Sequence, residues 1–382
     1  MRILAVCNLF PPYVMGGNEV RFQEILEGLQ KEHEICLVSS LYESSKPEPD
    51  WIHRVLQQPI PYPKPLVNPK GYFRREIKAA GFNFRATKQI IEKFKPDVAY
   101  ISDTKRVFLG APYAARACGV PVVWDITDTS LAHYTGKKTL RRFLPRMSLG
   151  KLSFSHALTI SKYIKDELCK AGVLSQNALP LNQGVHLESF VPGQLSVPPR
   201  RLIFVGSLIP DKGVHIILRA LKELGEEYSL TICGDSGDAN YKKSLSDYTK
   251  ANGLESQVDF KGRVGGDQMP QIYREHDVFV FSSIWQEPFA STPLEAMACN
   301  LPVVGTLVGG QKDFFLHEEN SMVYEKEDPA DLAAQIRLLD DEALYRKVAQ
   351  NGLKQVQAEH KFEDYVTKIE VVLEKAVQGR PL

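Results

Sequence analysis

Two glutamates, Glu287 and Glu295, flank seven residues in the run Trp285-Gln-Glu287-Pro-Phe-Ala-Ser-Thr-Pro-Leu-Glu295. Thr292, Pro293 and Glu295 have the order of a helix start, with Thr as N-cap, Pro at the first helical position and Glu at the third. The orphan N–H groups of such a helix would face the carboxyl end of a parallel sheet, where α/β folds take ligands. Glu295 then has two readings: a carboxylate facing a ligand, or one half of a capping box that bonds its own N-cap amide. Glu287 has no such local partner. A loop carboxylate beside Trp285 and Phe289 suits hydrogen bonding to sugar hydroxyls.

A second cluster is Phe204-Val-Gly206-Ser-Leu-Ile-Pro-Asp-Lys212-Gly213. It reads as a strand, a Gly-containing turn and a helix N-terminus carrying Lys212, which together make a site for phosphate oxygens. The glycines also suit a plain βα turn. A third is Gly16-Gly17, ahead of Asn18-Glu-Val-Arg-Phe22. It is not the GxGxxG fingerprint of nicotinamide and flavin folds, and it fits either a turn or a close backbone approach to a phosphate or sugar. No Asp-x-Asp pair occurs, so the carboxylates that hold a divalent ion on a diphosphate in many transferases are missing. The nine histidines show no HExxH or clustered spacing, and no metal and no cofactor are expected.

These residues need a frame. Ile3–Cys7, the amphipathic stretch with Val20, Ile25, Leu26 and Leu29, and Ile35–Val38 make a strand-helix-strand unit. Val98–Ser102, Pro121–Asp125 and Ala157–Ser161 are continuously apolar, as strands covered on both faces are. A second series runs from strand 202–206 through helix 214–224, strand 229–233, helix 240–252, strand 258–260, helix 267–275, strand 277–282, helix 293–299 and strand 302–305. Helices at about 329–339, 341–358 and 361–377 follow. Pro180, Pro192, Pro198 and Pro199 mark a linker between the two series. The spacing predicts two consecutive doubly wound α/β domains. Pro59 to Pro65, with alternating prolines, reads as an extended loop.

The chain has 382 residues, which at about 100–200 residues per domain suggests two or three domains. Its 47 Lys+Arg against 46 Asp+Glu leave a net charge of +1, which argues against a nucleic-acid binder. The total hides an asymmetry. Residues 1–190 hold 26 basic and 17 acidic side chains, net +9, and residues 191–382 hold 21 and 29, net −8. Nine basic residues lie in 64–95, and six in 134–151 with no acidic one. Phe143, Leu144, Met147 and Leu149 interleave with the latter. This pattern fits either solvated helix faces or a surface that meets an anionic membrane. The six cysteines match neither a metal knuckle nor a disulfide framework. No apolar run nears the roughly 20 residues of a membrane span, and the start lacks a signal-peptide pattern. A cytoplasmic protein is expected, with peripheral association at the inner face of the plasma membrane as the further possibility.

Taken together, the motifs resemble the retaining glycosyltransferases of family 4, the group 1 glycosyltransferases of GT-B fold. The resemblance covers nearly the whole chain. Gly16-Gly17 is similar to the family's N-terminal glycine loop. Asn182-Gln-Gly184-Val-His186 with Phe190-Val-Pro192 resembles its "NGVD…F.P" stretch, and Gly206 to Gly213 its "GRL…KG" element. Glu287 to Glu295 matches E-x7-E, followed by an "EAMA.G.PVV" run. Gly309-Gly310 with Asp313, then Asn320 to Val323, resembles "GG..E…..NG.LV".

The resemblance implies two Rossmann-like doubly wound domains facing a central cleft: 1–190 for the acceptor, 191–360 for the donor, and a C-terminal helix at about 361–382 packed back on the first. It implies a nucleotide-sugar donor (UDP-, GDP- or ADP-linked), and a glycan or lipid-linked saccharide as acceptor. Glu295 would hold the ribose hydroxyls and Glu287 the donor-sugar hydroxyls. Lys212 would neutralise the leaving diphosphate. Phe289, Ala290, Ser291 and Leu294 would seat the sugar and diphosphate. Gly206 and Ser207 would line the phosphate turn, Arg263 and Val264 would meet the base, and Gly16 and Gly17 would approach the diphosphate. Asp128 would serve at the reacting centre. The sequence departs from the pattern at Ser207, where the family carries Arg, at Thr127-Asp128, where it carries His-Asp, and at Asp313, where it carries Glu. These departures leave open a catalytically silent sugar-nucleotide-binding scaffold, and the shared fold leaves open an epimerase or phosphorylase.

Overall fold

The computed structural model describes residues 1–14, 16–42, 48–58, 69–102, 109–134, 149 and 151–382. The Pro59–Pro65 loop, residues 64–68 of the basic stretch 64–95 and most of the basic stretch 134–151 lie outside the described residues. The chain divides into two compact units, Met1–Leu181 with Val366–Leu382, and Asn182–Tyr365. The division falls before residue 190 because the Val185 N–H donates to His360 O at 2.8 Å and the Phe362 N–H to Val185 O at 3.1 Å. These bonds tie the start of the proline-marked segment to the second unit.

In the first unit β1 (Arg2–Val6), β2 (Glu34–Ser40), β3 (Ile52–Leu56), β4 (Val98–Ser102), β5 (Val122–Ile126), β6 (Ala157–Thr159) and β7 (Leu179–Pro180) form one sheet, ordered β3-β2-β1-β4-β5-β6-β7. Every pair is parallel. Ile3, Leu4, Ala5 and Val6 are fully buried, as a strand covered on both faces requires. Helices α1 (Gly17–Leu29), α2 (Pro69–Phe94), α3 (Gly110–Ala117) and α4 (Lys162–Lys170) belong to this unit.

The apolar pattern does not announce α2, and the structure shows why. From residue 75 onward its buried positions, 76, 79, 80, 83, 87 and 91, have helical spacing but carry Glu76, Asn83 and Thr87 beside Ala79, Ala80 and Ile91. Asn83 is held by the residue after β3: its amide accepts from the Gln57 N–H at 2.7 Å and donates to Gln57 O at 3.0 Å.

The second unit holds β8 (Arg201–Val205), β9 (Ser229–Cys233), β10 (Val258–Gly262), β11 (Val278–Phe281), β12 (Val303–Gly305) and β13 (Met322–Val323), ordered β10-β9-β8-β11-β12-β13. All pairs are again parallel. Its helices are α5 (Val214–Leu224), α6 (Ala239–Ala251), α7 (Met269–Arg274), α8 (Thr292–Ala298), α9 (Pro329–Leu338) and α10 (Glu342–Glu359), and α11 (Phe362–Val377) follows. Asp238, Asp328 and Asp341 each accept two backbone N–H groups at the starts of α6, α9 and α10, which is the N-cap chemistry that stops orphan donors going unpaired. The core gathers on α5, where Val214, Ile217, Leu218, Ala220 and Leu221 are fully buried.

The first strand of this sheet, β8, lies between β9 and β11, so the strand order reverses there. In open parallel sheets the crevice at the carboxyl ends beside such a reversal receives the ligand. The turns after β8 and β11 are therefore the places to look. Elsewhere, burial pushes the thiols of Cys36 and Cys299 up to about 12 and that of Cys233 to about 11. They stay protonated and pack as small hydrophobes.

Candidate functional site

The turn after β8 runs through Gly206 and the exposed Ser207 into a 3₁₀ turn at Pro210–Lys212. Gly213 follows at φ +70°, and a Cβ there would stand 2.0 Å from Ser282 O. Only glycine lets this turn lie directly against the end of β11. Further bonds lock the two segments: the Ser282 hydroxyl donates to Lys212 O at 2.7 Å and the Ile284 N–H to Asp211 O at 2.8 Å.

That contact delivers Lys212 to Glu287. The Lys212 ammonium donates to Glu287 Oε1 in an ion pair. Glu287 is 5% exposed, and a carboxylate that deep needs a charge partner and hydrogen bonds to remain there. Ser283 Oγ lies 2.9 Å from the same oxygen and 3.2 Å from Asp211 O, and its one hydrogen serves one acceptor at a time. The backbone of Glu287 is gripped from the other side. Gly310 N–H donates to Glu287 O at 2.8 Å, and Gly309 N–H to Gln286 Oε1 at 2.8 Å. Gly309 sits at φ +52°, where a Cβ would come within 1.8 Å of Glu287 O. The Gly309-Gly310 pair is thus the clamp on the Glu287 loop.

Glu295 corrects one expectation. The N-cap of α8 is Ser291, not Thr292, and no side chain caps the helix. One residue of offset moves Glu295 past the capping-box position, so the reciprocal bond does not form. Instead the Tyr273 hydroxyl, from α7, donates to Glu295 Oε2 at 2.9 Å. Burial and the Glu295 charge hold the Tyr273 phenol well above its usual range, so it remains a donor. Replacing Tyr273 with Phe is expected to cost about 1.5–3 kcal/mol in urea unfolding, the value of one hydrogen bond to a charged group. An unchanged midpoint would mean that the bond is idle.

The other second-unit residues divide. Phe289 is buried against Phe314 and His360, with ring centroids 6.1 and 6.2 Å away. The Ala290 N–H, expected to face a ligand, donates to Gln311 Oε1 at 3.3 Å. Leu294 is fully buried, so its side chain serves the core. Arg263, which is exposed, and Val264, half-buried, follow β10, two strands from β8. The fold also gathers His186, Glu188 and Glu363, whose ligand atoms lie within 4.8 Å of one another. That exposed group is invisible in the spacing.

In the first unit Gly16 caps α1, its N–H held by Glu19 Oε2 at 3.0 Å. A Cβ on Gly17 would meet nothing within 4 Å, so internal packing does not demand glycine there. Asp128 Oδ1 accepts the Ser130 N–H at 2.7 Å and lines a small pocket with Asp125, Thr127 and Ser130. Asp125, at the end of β5, is 4% exposed and pairs with Arg21 of α1 at 2.5 Å. Arg21 in turn donates to Asn18 Oδ1 at 3.1 Å.

Residues 188–355 match the family model of the glycosyl transferases group 1, and residues 15–188 match that of glycosyltransferase family 4. An uncharacterized glycosyltransferase of Methanocaldococcus jannaschii, MJ1607, is 26% identical over 95% of each chain. The sulfoquinovosyl transferase SQD2 of Arabidopsis thaliana is 25% identical over 96% of this chain and 72% of its own. Among solved structures, Anabaena HepE in complex with UDP aligns with a TM-score of 0.76 at 18% identity, covering 98% of this chain and 100% of that one.

Proposed function

Since the chain belongs to the group 1 glycosyltransferases and has their two Rossmann-like sheets of GT-B type, we propose that it moves a hexosyl unit from a nucleoside diphosphate sugar to an acceptor hydroxyl, with retention at the anomeric carbon. The observation that carries this reading is the Lys212–Glu287 pair at the strand-order reversal of the second unit. A buried carboxylate and a half-buried ammonium, held on two turns that lock each other, match the two ends of such a donor. The ammonium meets the diphosphate, and the carboxylate meets the sugar hydroxyls. When the donor enters, each charge exchanges its protein partner for a substrate partner. Lys212 then faces the negative charge that grows on the leaving diphosphate, where a preorganised cation favours the transition state over the ground state.

Glu295, oriented by Tyr273, takes the ribose hydroxyls. Arg263 and Val264 meet the base. Ser207 and the backbone of 289–291 supply N–H groups to the sugar and diphosphate, with the Ala290 amide shared with Gln311, while Gly206, whose N–H goes to Cys233 O at 3.0 Å, lines the phosphate turn. Gly17, where no side chain would stand in the way, and Gly16, whose N–H is held by Glu19 Oε2, are the first unit's candidates for approach to the diphosphate. The first unit receives the acceptor, a glycan or lipid-linked saccharide, with Asp128 at its pocket, and the leaving phosphate takes the acceptor proton. In this reading Lys212 supplies the charge that a divalent ion supplies in metal-dependent transferases, so chelators are expected to leave the rate unchanged. HepE has been solved with UDP and with UDP-glucose, which supports a nucleotide-linked donor. No helix of the described residues is long and apolar enough to cross a membrane.

A thermal-shift screen against UDP-, GDP- and ADP-hexoses and the free diphosphates tests the reading. The preferred donor at about a hundred times its Kd adds about 2.7 kcal/mol to the folded state, and transfer or slow hydrolysis of that donor follows. A shift without either reaction indicates the silent scaffold. No shift with any nucleotide overturns the reading.

A further inference from the structure

Trp285 stands two residues before Glu287 and is 43% exposed, the largest apolar side chain exposed among the described residues. A lone exposed Leu needs no explanation, because folded surfaces carry many. An exposed indole on a rigid loop beside a buried charge pair is a different matter. The loop is fastened on both sides of Trp285. Ile284 N–H donates to Asp211 O at 2.8 Å, and the Gln286 side chain accepts the Gly309 N–H at 2.8 Å. The ring therefore pays little further ordering cost when something packs on it. The Lys212 ammonium lies 6.0 Å from the ring centroid. That is the outer limit of a cation–π contact, so Lys212 does not account for the indole's position.

We propose that Trp285 is the apolar platform for a pyranose ring in this site. The inference rests on the donor-site reading above and adds a specificity-determining residue to it. A pyranose has a face of C–H groups and a rim of hydroxyls. Binding sites that recognise such amphipathic ligands pair an apolar or aromatic wall with a few fixed polar groups. Here the wall is the Trp285 indole and the fixed polar group is the Glu287 carboxylate, carried on one clamped loop. Lys212 ties the position to the donor: the ammonium assigned to the diphosphate pairs with the carboxylate and lies 6.0 Å from the indole centroid, which leaves room between them for the sugar attached to that diphosphate.

The experiment compares wild type with Trp285→Ala and Trp285→Phe by calorimetric titration. The probes are the nucleoside diphosphate hexose that gives the largest thermal shift, its free nucleoside diphosphate, and free glucose, galactose and mannose added to protein saturated with that diphosphate. Trp285→Ala is expected to weaken the sugar nucleotide about tenfold and leave the free diphosphate within twofold, while Trp285→Phe keeps most of the affinity. If the sugar nucleotide is unaffected but binding of a free hexose is lost, the platform serves the acceptor sugar instead. If Trp285→Ala leaves all probes within twofold, or weakens the free diphosphate as much as the sugar nucleotide, the proposal is overturned. If wild type binds neither diphosphate nor sugar nucleotide, the donor-site reading itself has failed. Because Trp285 is exposed, the melting temperature of each unliganded variant should match wild type.

Discussion

On the proposed function, replacing Glu287 with Gln is expected to lower hexosyl transfer by about 10²–10³-fold, the usual cost of removing one preorganised group at a reacting centre. The substitution keeps the shape and a hydrogen-bonding amide but deletes the charge. Glycosyl transfer develops positive charge on the sugar ring, and hydrogen bonds to its hydroxyls strengthen as that happens. A carboxylate supports such a transition state more than an amide does. Nucleoside diphosphate binding should hold or tighten, because Lys212 loses its competing partner. Lys212→Met gives the opposite signature: transfer falls by a similar factor and diphosphate affinity falls with it. It also leaves a carboxylate that is 5% exposed without its cation, so this variant is expected to lose stability as well. In the double variant the losses should fall short of the sum, as for groups that act as one unit. Steady-state rates and diphosphate titrations on the three variants check this. A Glu287→Gln enzyme retaining more than about a third of the wild-type rate would remove Glu287 from the mechanism.

The second large effect is on stability. Arg21 and Asp125 are 6% and 4% exposed and pair at 2.5 Å between α1 and the end of β5. Arg21→Met removes the cation and leaves a buried carboxylate uncompensated, at an expected cost of about 3–5 kcal/mol to the first unit. The variant Arg21→Met/Asp125→Leu should recover much of that, because an apolar pair of similar volume carries no desolvation penalty. Urea unfolding followed through the first unit separates the cases. If the single variant loses less than about 1 kcal/mol, water or a neighbouring group reaches Asp125 and the pair is not insulated.

Much of the second unit was legible in the chain. Helix α5 occupies Val214–Leu224, as its apolar periodicity requires, because one stripe of a short helix had to meet a sheet buried on both faces. The strands were legible for the same reason: a run of four or five apolar residues between turns has few other uses in a parallel α/β fold. Helix α2 was not, since Glu76, Asn83 and Thr87 interrupt its buried stripe, and Asn83 is held by Gln57, 26 residues away. Glu295 was half legible. Its residue type and place near a helix start were visible, but a one-residue offset in the N-cap decides between a capping box and the Tyr273 hydroxyl.

The sequence by itself determined the fold class, two doubly wound parallel sheets, and supplied the chemical groups of the site: two carboxylates, one ammonium and several glycines. These follow from local rules of periodicity, turn chemistry and charge. Only the tertiary structure decided which groups meet. Lys212 and Glu287 are 75 residues apart, and neither spacing nor propensity pairs them. They meet because β8 and β11 are neighbours at the strand-order reversal, because Gly213 lets one turn lie against the other, and because Gly309 admits the Glu287 carbonyl. Close packing of backbone on backbone is a long-range property, and the charge pair that defines this site is its consequence.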